Sequence, residues 1–282
     1  ALAQSWFARG VKPSALIGHS MGENTAACVA GVMDYATTLG LVALRGRLFE
    51  SLPDGGMLSV PLSAAGLRPL LPEGVVIACE NGPELSVASG PRAAIERLYT
   101  ELSERELDVQ KSRSRVAADS PMLEPILEEF GAYLRRAKLS APNTPIISNL
   151  TGQPLTAAEA QDPSYWVRHL RSTVRFEAGI RSLEAQGPRV YLEVGPGRAL
   201  GSLVRQCTRD SKTPTISSLR HPDEHVDDAQ FALAALGRLW ASGAEVDIRH
   251  AVPSEGRRVL LPTYAFDHQP YFIPLTSAET RA

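Results

Sequence analysis

The chain has 282 residues, enough for one large domain or a core with a smaller insert, and its 44% hydrophobic and 21% charged residues are the balance of a folded globular protein. Lys and Arg number 29 against 31 for Asp and Glu, so no net field draws the chain to nucleic acid or to an anionic membrane surface. Cys28, Cys79 and Cys207 stand singly, which argues against a zinc knuckle or disulfide framework and for a reducing, cytoplasmic setting without a metal, and no run approaches the roughly 18 apolar residues of a membrane span.

ALAQSWFARG lacks the apolar core and cleavage pattern of a signal peptide and reads as the last turns of a helix that begins upstream. Ala15-Leu16-Ile17 is a buried strand that runs into GHSMG, and ENTAACVAGVM continues with small and apolar residues at helical spacing. TTLGLVALRGRLFESL predicts an amphipathic helix with Leu39, Leu41, Val42, Leu44, Leu48 and Phe49 on one face, ending before Pro53-Asp54-Gly55-Gly56. From Met57 the order is strand (MLSVPL), helix (SAAGLRPLL), strand (VVIAC), strand (LSVAS), helix (PRAAIERLYTELSERE), strand (LDVQKS). This βαββαβ order predicts a ferredoxin-like insert over residues 57–113.

SPMLEPILEEFGAYLRRA then predicts a helix with Ser120 as N-cap and Pro121 at the first helical position. PIISNLTG and RVYLEVGPG are further buried strands, separated by the helical stretch DPSYWVRHLRSTVRFEAGIRSLEAQG. These return the chain to the larger unit, residues 1–56 and 114–240, whose βα pattern makes the fold class α/β. Residues 241–282 are rich in Pro and aromatic residues without helix periodicity and are expected to run along a surface.

Ser20 sits in a Gly-x-Ser-x-Gly frame between a strand and a helix. That is the context of a nucleophile elbow, where the helix N-terminus offers N–H groups to a developing oxyanion. The alternative is a tight turn made by Gly18 and Gly22 with no chemistry attached. A serine hydroxyl needs a base, and spacing singles out none of the six histidines. His19 adjoins the serine and should point off the opposite side of the turn; His169 lies on a helical pattern and reads chiefly as a packed or capping residue. Arg45 and Arg47 project from an otherwise apolar helix, where a guanidinium could clamp a carboxylate or simply be solvated.

GHSMGE with ALRGR downstream, NGPELSVASG, DSPMLEPIL, YWVRHLRSTVRF, LEVGPGRAL and LPTYAFDHQPYF together resemble the acyltransferase domain of a type I modular polyketide synthase, in that family's order over nearly the whole chain. The resemblance implies an α/β-hydrolase-like larger subdomain with the ferredoxin-like insert closing over the site, and a post-acyltransferase linker at 241–282. It also implies ping-pong transfer of a malonyl-type extender unit from a CoA thioester to Ser20, then to the phosphopantetheine thiol of an acyl carrier protein. No cofactor would be bound by the domain itself. Partners would be the carrier protein, the ketosynthase and other domains of the same multienzyme.

By the same resemblance Arg45 matches the arginine that pairs with the malonyl carboxylate, and Met21 would give an oxyanion-hole N–H. Gln186 matches the residue whose backbone carbonyl orients the base, and Asn81 an Asn in a loop leading toward the site. Where the family ends a four-residue specificity motif with its catalytic histidine, this chain reads Val116-Ala117-Ala118-Asp119 before Ser120-Pro121. Asp119 therefore takes the base position and Ala118 that of a large residue that restricts the acyl group. An exposed carboxylate with a pKa near 4 is a weak base at neutrality, so slowed transfer, or a remnant that only holds its neighbours, is expected. The family's opening strand and Gly-Gln-Gly loop are not in this sequence, and the chain is expected to start within the fold. A serine hydrolase is a third reading, opposed by Arg45 and the linker-like tail.

Overall fold

The computed structural model describes residues 1–210, 212–247, 259–269 and 271. In chain order come α1 (Leu2–Phe7), β1 (Leu16–Ile17), α2 (Met21–Val29) and α3 (Tyr35–Glu50), then β2 (Gly55–Val60), α4 (Ala64–Leu67), β3 (Val76–Gly82), β4 (Leu85–Pro91), α5 (Arg92–Glu104) and β5 (Gln110–Lys111). A 3-10 turn, Pro121–Ile126, leads into α6 (Leu127–Arg136), β6 (Ile146–Ile147), α7 (Ala157–Ala160), α8 (Pro163–Arg171) and α9 (Phe176–Glu184). The chain continues with β7 (Tyr191–Glu193), α10 (Ala199–Cys207), β8 (Thr215–Ser217) and α11 (Asp228–Ala241).

The middle segment forms a four-stranded sheet in the order β3-β4-β2-β5, with every neighbouring pair antiparallel. That is the ferredoxin-like arrangement its βαββαβ order predicts. Its core is one sheet face packed on α5: Leu58 and Ile77 meet Ile95, Leu98 and Leu102, the i, i+3, i+7 stripe of that helix. The larger subdomain is parallel, with Leu16 opposite Ile146 in β1–β6 and Leu192 opposite Ile216 in β7–β8. Leu41, Leu44 and Leu48 of α3, Phe130 and Leu134 of α6 and Trp166 of α8 fill its main core.

The two subdomains are stitched backbone to backbone. Edge strand β3 bridges the segment between α8 and α9: Val174 N–H donates to Ala78 O, and Glu80 N–H to Val174 O, each at 2.8 Å. Around this seam Ala78, Cys79, Val174, Phe176, Ile180 and Val204 make a shared core.

Local structure departs from the sequence expectation in several places, and β1 and β7, expected to be buried strands, are only half-buried. The helix expected from Pro121 onward is 3-10 as far as Ile126 and α-helical only from Leu127, because Pro125 lacks the N–H that an α-turn needs there. On α3, Leu39 is 54% exposed: Leu41, Leu44 and Leu48 define the buried stripe, and a residue two positions before Leu41 points away from it. The helical stretch after Asp162 is two helices, broken where residues 172–175 join the seam. Of 241–282, residues 259–269 and 271 have no helix or strand and are exposed, and most of the remainder lies outside the described residues. Among the described residues no helix is long and apolar enough to cross a membrane.

Candidate active site

Ser20 caps α2 with φ 49° and ψ −118°, in a backbone region that costs a non-glycine residue about 1–3 kcal/mol and persists only when its surroundings enforce it. The enforcing contacts are present. Asn149, just after β6, accepts from Ser20 N–H through Oδ1 at 2.9 Å and donates through Nδ2 to Gly18 O at 2.9 Å, so one amide clamps both sides of the turn. A Cβ on Gly18 would lie 2.1 Å from Glu23 N, which makes glycine obligatory there; one on Gly22 would meet nothing within 4 Å. The strained turn thus depends on the first glycine of the frame, not on both.

The elbow presents Oγ to Asp119. Ser20 Oγ donates to Oδ1 at 2.9 Å and Oδ2 at 3.0 Å. The sequence suggested an exposed, ordinary carboxylate; the fold leaves Asp119 only 4% exposed, itself in a left-handed conformation with φ 52°. Burial raises its pKa above the usual carboxylate value, opposed by Arg45, by the Ser20 hydrogen bond and by His169 and His19. Asp119 is therefore a stronger base than the sequence implies. Ser20 N–H is taken by Asn149, and the next amide at the elbow is Met21 N–H, the first of α2, beside a half-exposed side chain.

Arg45 reaches the same place from α3. Its guanidinium carbon lies 4.7 Å from the centre of the Phe49 ring, and burial lowers its pKa while Asp119 opposes the shift. Ser20, Met21, Asn24, Arg45, Asp119 and His169 share the wall of a small cavity of about 10 Å³. On its other side Asp119 also borders a larger cleft of about 340 Å³, with Val76, Pro121, Leu150, Thr173 and the guanidinium-bearing Arg171 and Arg175.

The turn is anchored from beneath by Glu23, which is fully buried. Glu23 Oε2 accepts from Asn149 N–H at 2.6 Å, Oε1 accepts from the Tyr165 hydroxyl, and that hydroxyl lies 2.7 Å from Ser148 Oγ. His169 Nε2 is 3.5 Å from Glu23 Oε2. His169, with packing or capping as its competing reading in the sequence, belongs to the site wall. Glu23, Asn149 and Tyr165 were not anticipated at all; the Glu that closes GHSMGE was the only local hint.

Other expected positions are placed differently. Asn81 lies in β3, not in a loop, and is buried, with Oδ1 2.6 Å from His19 Nε2, so that imidazole is engaged by Asn81. Ala118 contributes its carbonyl to Ser89 Oγ at 2.8 Å and lines neither cavity. Gln186 is exposed beyond α9, its side chain accepts from Arg189 at 2.8 Å, and it too lines neither cavity. The chain segment that does border Asp119 there is 171–175, whose Arg175 N–H donates to Asn149 O at 2.8 Å.

A strained serine at a strand–helix elbow, hydrogen-bonded to a buried carboxylate in an α/β core that carries a ferredoxin-like subdomain, has the form of a serine acyl-transfer site. A family model described as "Acyl transferase domain" matches residues 1–246. The chain belongs to this family. It is 36% identical over 265 residues to a phenolphthiocerol/phthiocerol polyketide synthase of Mycobacterium tuberculosis, covering 94% of this chain and 18% of that protein. To polyketide synthase GfsA of Streptomyces halstedii it is 35% identical over 289 residues, covering 99% of this chain and 4% of that one. Among solved structures, the acyl transferase domain of SpnD in complex with 2-(pent-4-yn-1-yl)malonyl superposes with a TM-score of 0.84 at 40% identity, over 89% of this chain and 60% of that one. The acyltransferase domain from the second module of the salinomycin polyketide synthase gives 0.85 at 36% identity, over 93% and 62%. The chain thus spans under a fifth of these curated relatives and about 60% of these solved domains.

Proposed function

We propose that the chain loads a malonyl-type extender unit onto Ser20 from a CoA thioester and passes it to the phosphopantetheine thiol of an acyl carrier protein. The observation that carries this reading is the Ser20 Oγ hydrogen bond to both oxygens of buried Asp119, at 2.9 and 3.0 Å, with Arg45 on the same cavity wall. Asp119 takes the hydroxyl proton as Oγ attacks the thioester carbonyl, and Met21 N–H faces the oxyanion that forms. The resulting carboxylic acid protonates the departing sulfur, which leaves a Ser20 ester for the second half-reaction. Arg45 is placed to receive the free carboxylate of the acyl group through parallel N–H···O bonds. Arg175 gives the larger cleft a cationic group suited to a phosphate-bearing donor arm, while the charge of Arg171 beside it is offset by Glu124 at 2.6 Å.

No cofactor is needed for this chemistry beyond the CoA thioester and the carrier's phosphopantetheine. Residues 1–56 with 114–240 form the catalytic core, 57–113 the subdomain over the cleft, and 241–282 the linker toward neighbouring domains such as a ketosynthase. The test is the intact mass of the chain and of Ser20→Ala after incubation with malonyl-CoA and with methylmalonyl-CoA. A Ser20-dependent adduct is expected, and its mass identifies the acyl group. No adduct on a folded sample with either donor would replace this reading with a non-catalytic role.

A further inference from the structure

Three buried side-chain atoms complete no hydrogen bond on the wall of the 10 Å³ cavity beside Ser20: Arg45 Nε, Asn24 Oδ1 and His169 Nε2. Asn24 and His169 are each 4% exposed, so bulk water does not satisfy them. A space of this size fits about one water, and a buried water needs two to four polar partners. Arg45 offers a donor, and Asn24 and Asp119 offer acceptors.

We propose that a water in this cavity couples Asp119 to His169, and that His169 is the proton relay for acyl transfer at Ser20. The inference rests on the acyl-loading reading of the site. Imidazole is the side chain whose unperturbed titration lies nearest neutrality, so it exchanges a proton reversibly where a carboxylate alone does so poorly. Glu23 Oε2, 3.5 Å from Nε2, sets a buried carboxylate, already fixed by Asn149 N–H and Tyr165, beside the ring, and its charge favours the imidazolium that the relay forms.

The ionisable groups around His169 are Glu23 from α2, Arg45 from α3, Asp119 from the loop before Pro121, and Tyr165 one turn earlier on α8, whose ring lies 6.4 Å away. The Arg171–Glu124 and Arg135–Glu128 pairs of α8, α6 and the 3-10 turn lie toward solvent.

In the first half-reaction Ser20 Oγ bonds to the acyl carbon as its proton moves to Asp119. Asp119 gives a proton to the water as the water gives one to His169. The C–S bond breaks, and the proton returns along the same path through Asp119 to the sulfur. The second half-reaction runs in reverse with the carrier thiol.

The test compares the parent with His169→Gln and His169→Gly, with folding followed by circular dichroism. Two rates are measured across pH by intact mass: Ser20 acylation by malonyl-CoA, and Ser20 sulfonylation by phenylmethylsulfonyl fluoride, which needs the same proton removal but no acyl donor. His169→Gln should slow both by about 10- to 100-fold and remove one limb of the pH profile. Imidazoles added to His169→Gly should restore the rate in proportion to their basicity.

Rates in His169→Gln within about twofold of the parent with an unchanged profile overturn the relay. So does a rescue that follows the size of the added ring and not its pKa. Should His169→Gly not fold, the His169→Gln profile decides alone. His169-dependent sulfonylation without acylation would keep the relay and defeat the acyl-loading reading.

Discussion

The group that accepts the Ser20 hydrogen bond is a carboxylate, and its burial changes what that residue can do. Asp119 holds its proton at higher pH than a solvated carboxylate, chiefly through desolvation, so the limb it contributes to the acylation profile should fall as pH drops through that raised pKa. The sign for stability is opposite. A carboxyl whose folded pKa exceeds its unfolded value binds protons better in the native state, so its stabilising contribution is complete below the ordinary value near 3.8 and is lost as pH rises through the folded pKa. Asp119→Asn should therefore raise Tm at pH 7, with the gain shrinking in acid, while slowing Ser20 acylation by about 10²- to 10⁴-fold. A variant that is both slower and less stable at pH 7 would contradict this placement of the charge. Arg45→Ala should cost malonyl loading about 10- to 100-fold, the worth of a charged hydrogen bond, and leave acetyl loading nearly unchanged when the two CoA thioesters compete.

The elbow itself was legible because its signal is local, an apolar strand, a glycine that admits the turn and a helix of small residues, although the amide that clamps it comes from Asn149. The βαββαβ insert was legible for the same reason, since Gly and Pro punctuate almost every element. What was hidden is tertiary. Ser20 and Asp119 are 99 positions apart, and only the family resemblance pointed to Asp119; Glu23, Asn149 and His169 meet only where side chains of α2, the loop after β6 and α8 converge on one carboxylate. The two glycines of the frame now separate experimentally. Gly18→Ala forces a Cβ to within 2.1 Å of backbone and should destabilise by about 1–3 kcal/mol or prevent folding. Gly22→Ala, in open space within α2, should stabilise by up to about 1 kcal/mol in a urea titration. A large stability loss at Gly22 would mean that the turn depends on both glycines after all.

Across the whole molecule, the subdomain seam and the buried polar cluster under the elbow decide whether the site keeps its shape. The cluster joins α2, the loop after β6 and α8 through one carboxylate, so its loss should be felt globally and not at a surface. Tyr165 is the clearest probe: burial and the adjacent Glu23 push its pKa far up, so the hydroxyl stays a donor throughout the working range. Tyr165→Phe keeps the ring against Trp166, 5.0 Å away, but leaves Glu23 Oε1 buried without that donor. The expected cost is about 1–3 kcal/mol, read as a lower urea midpoint with an unchanged slope, and a slower Ser20 acylation as Asn149 loosens its hold on the turn. Arg115 sets the opposite limit. Its pair with Asp54 has good geometry at 2.9 Å, yet both side chains are more than half exposed, so Arg115→Ala should move neither the midpoint nor the rate measurably. If the two variants behaved alike, the stability of this fold would not run through the carboxylate beneath its nucleophile.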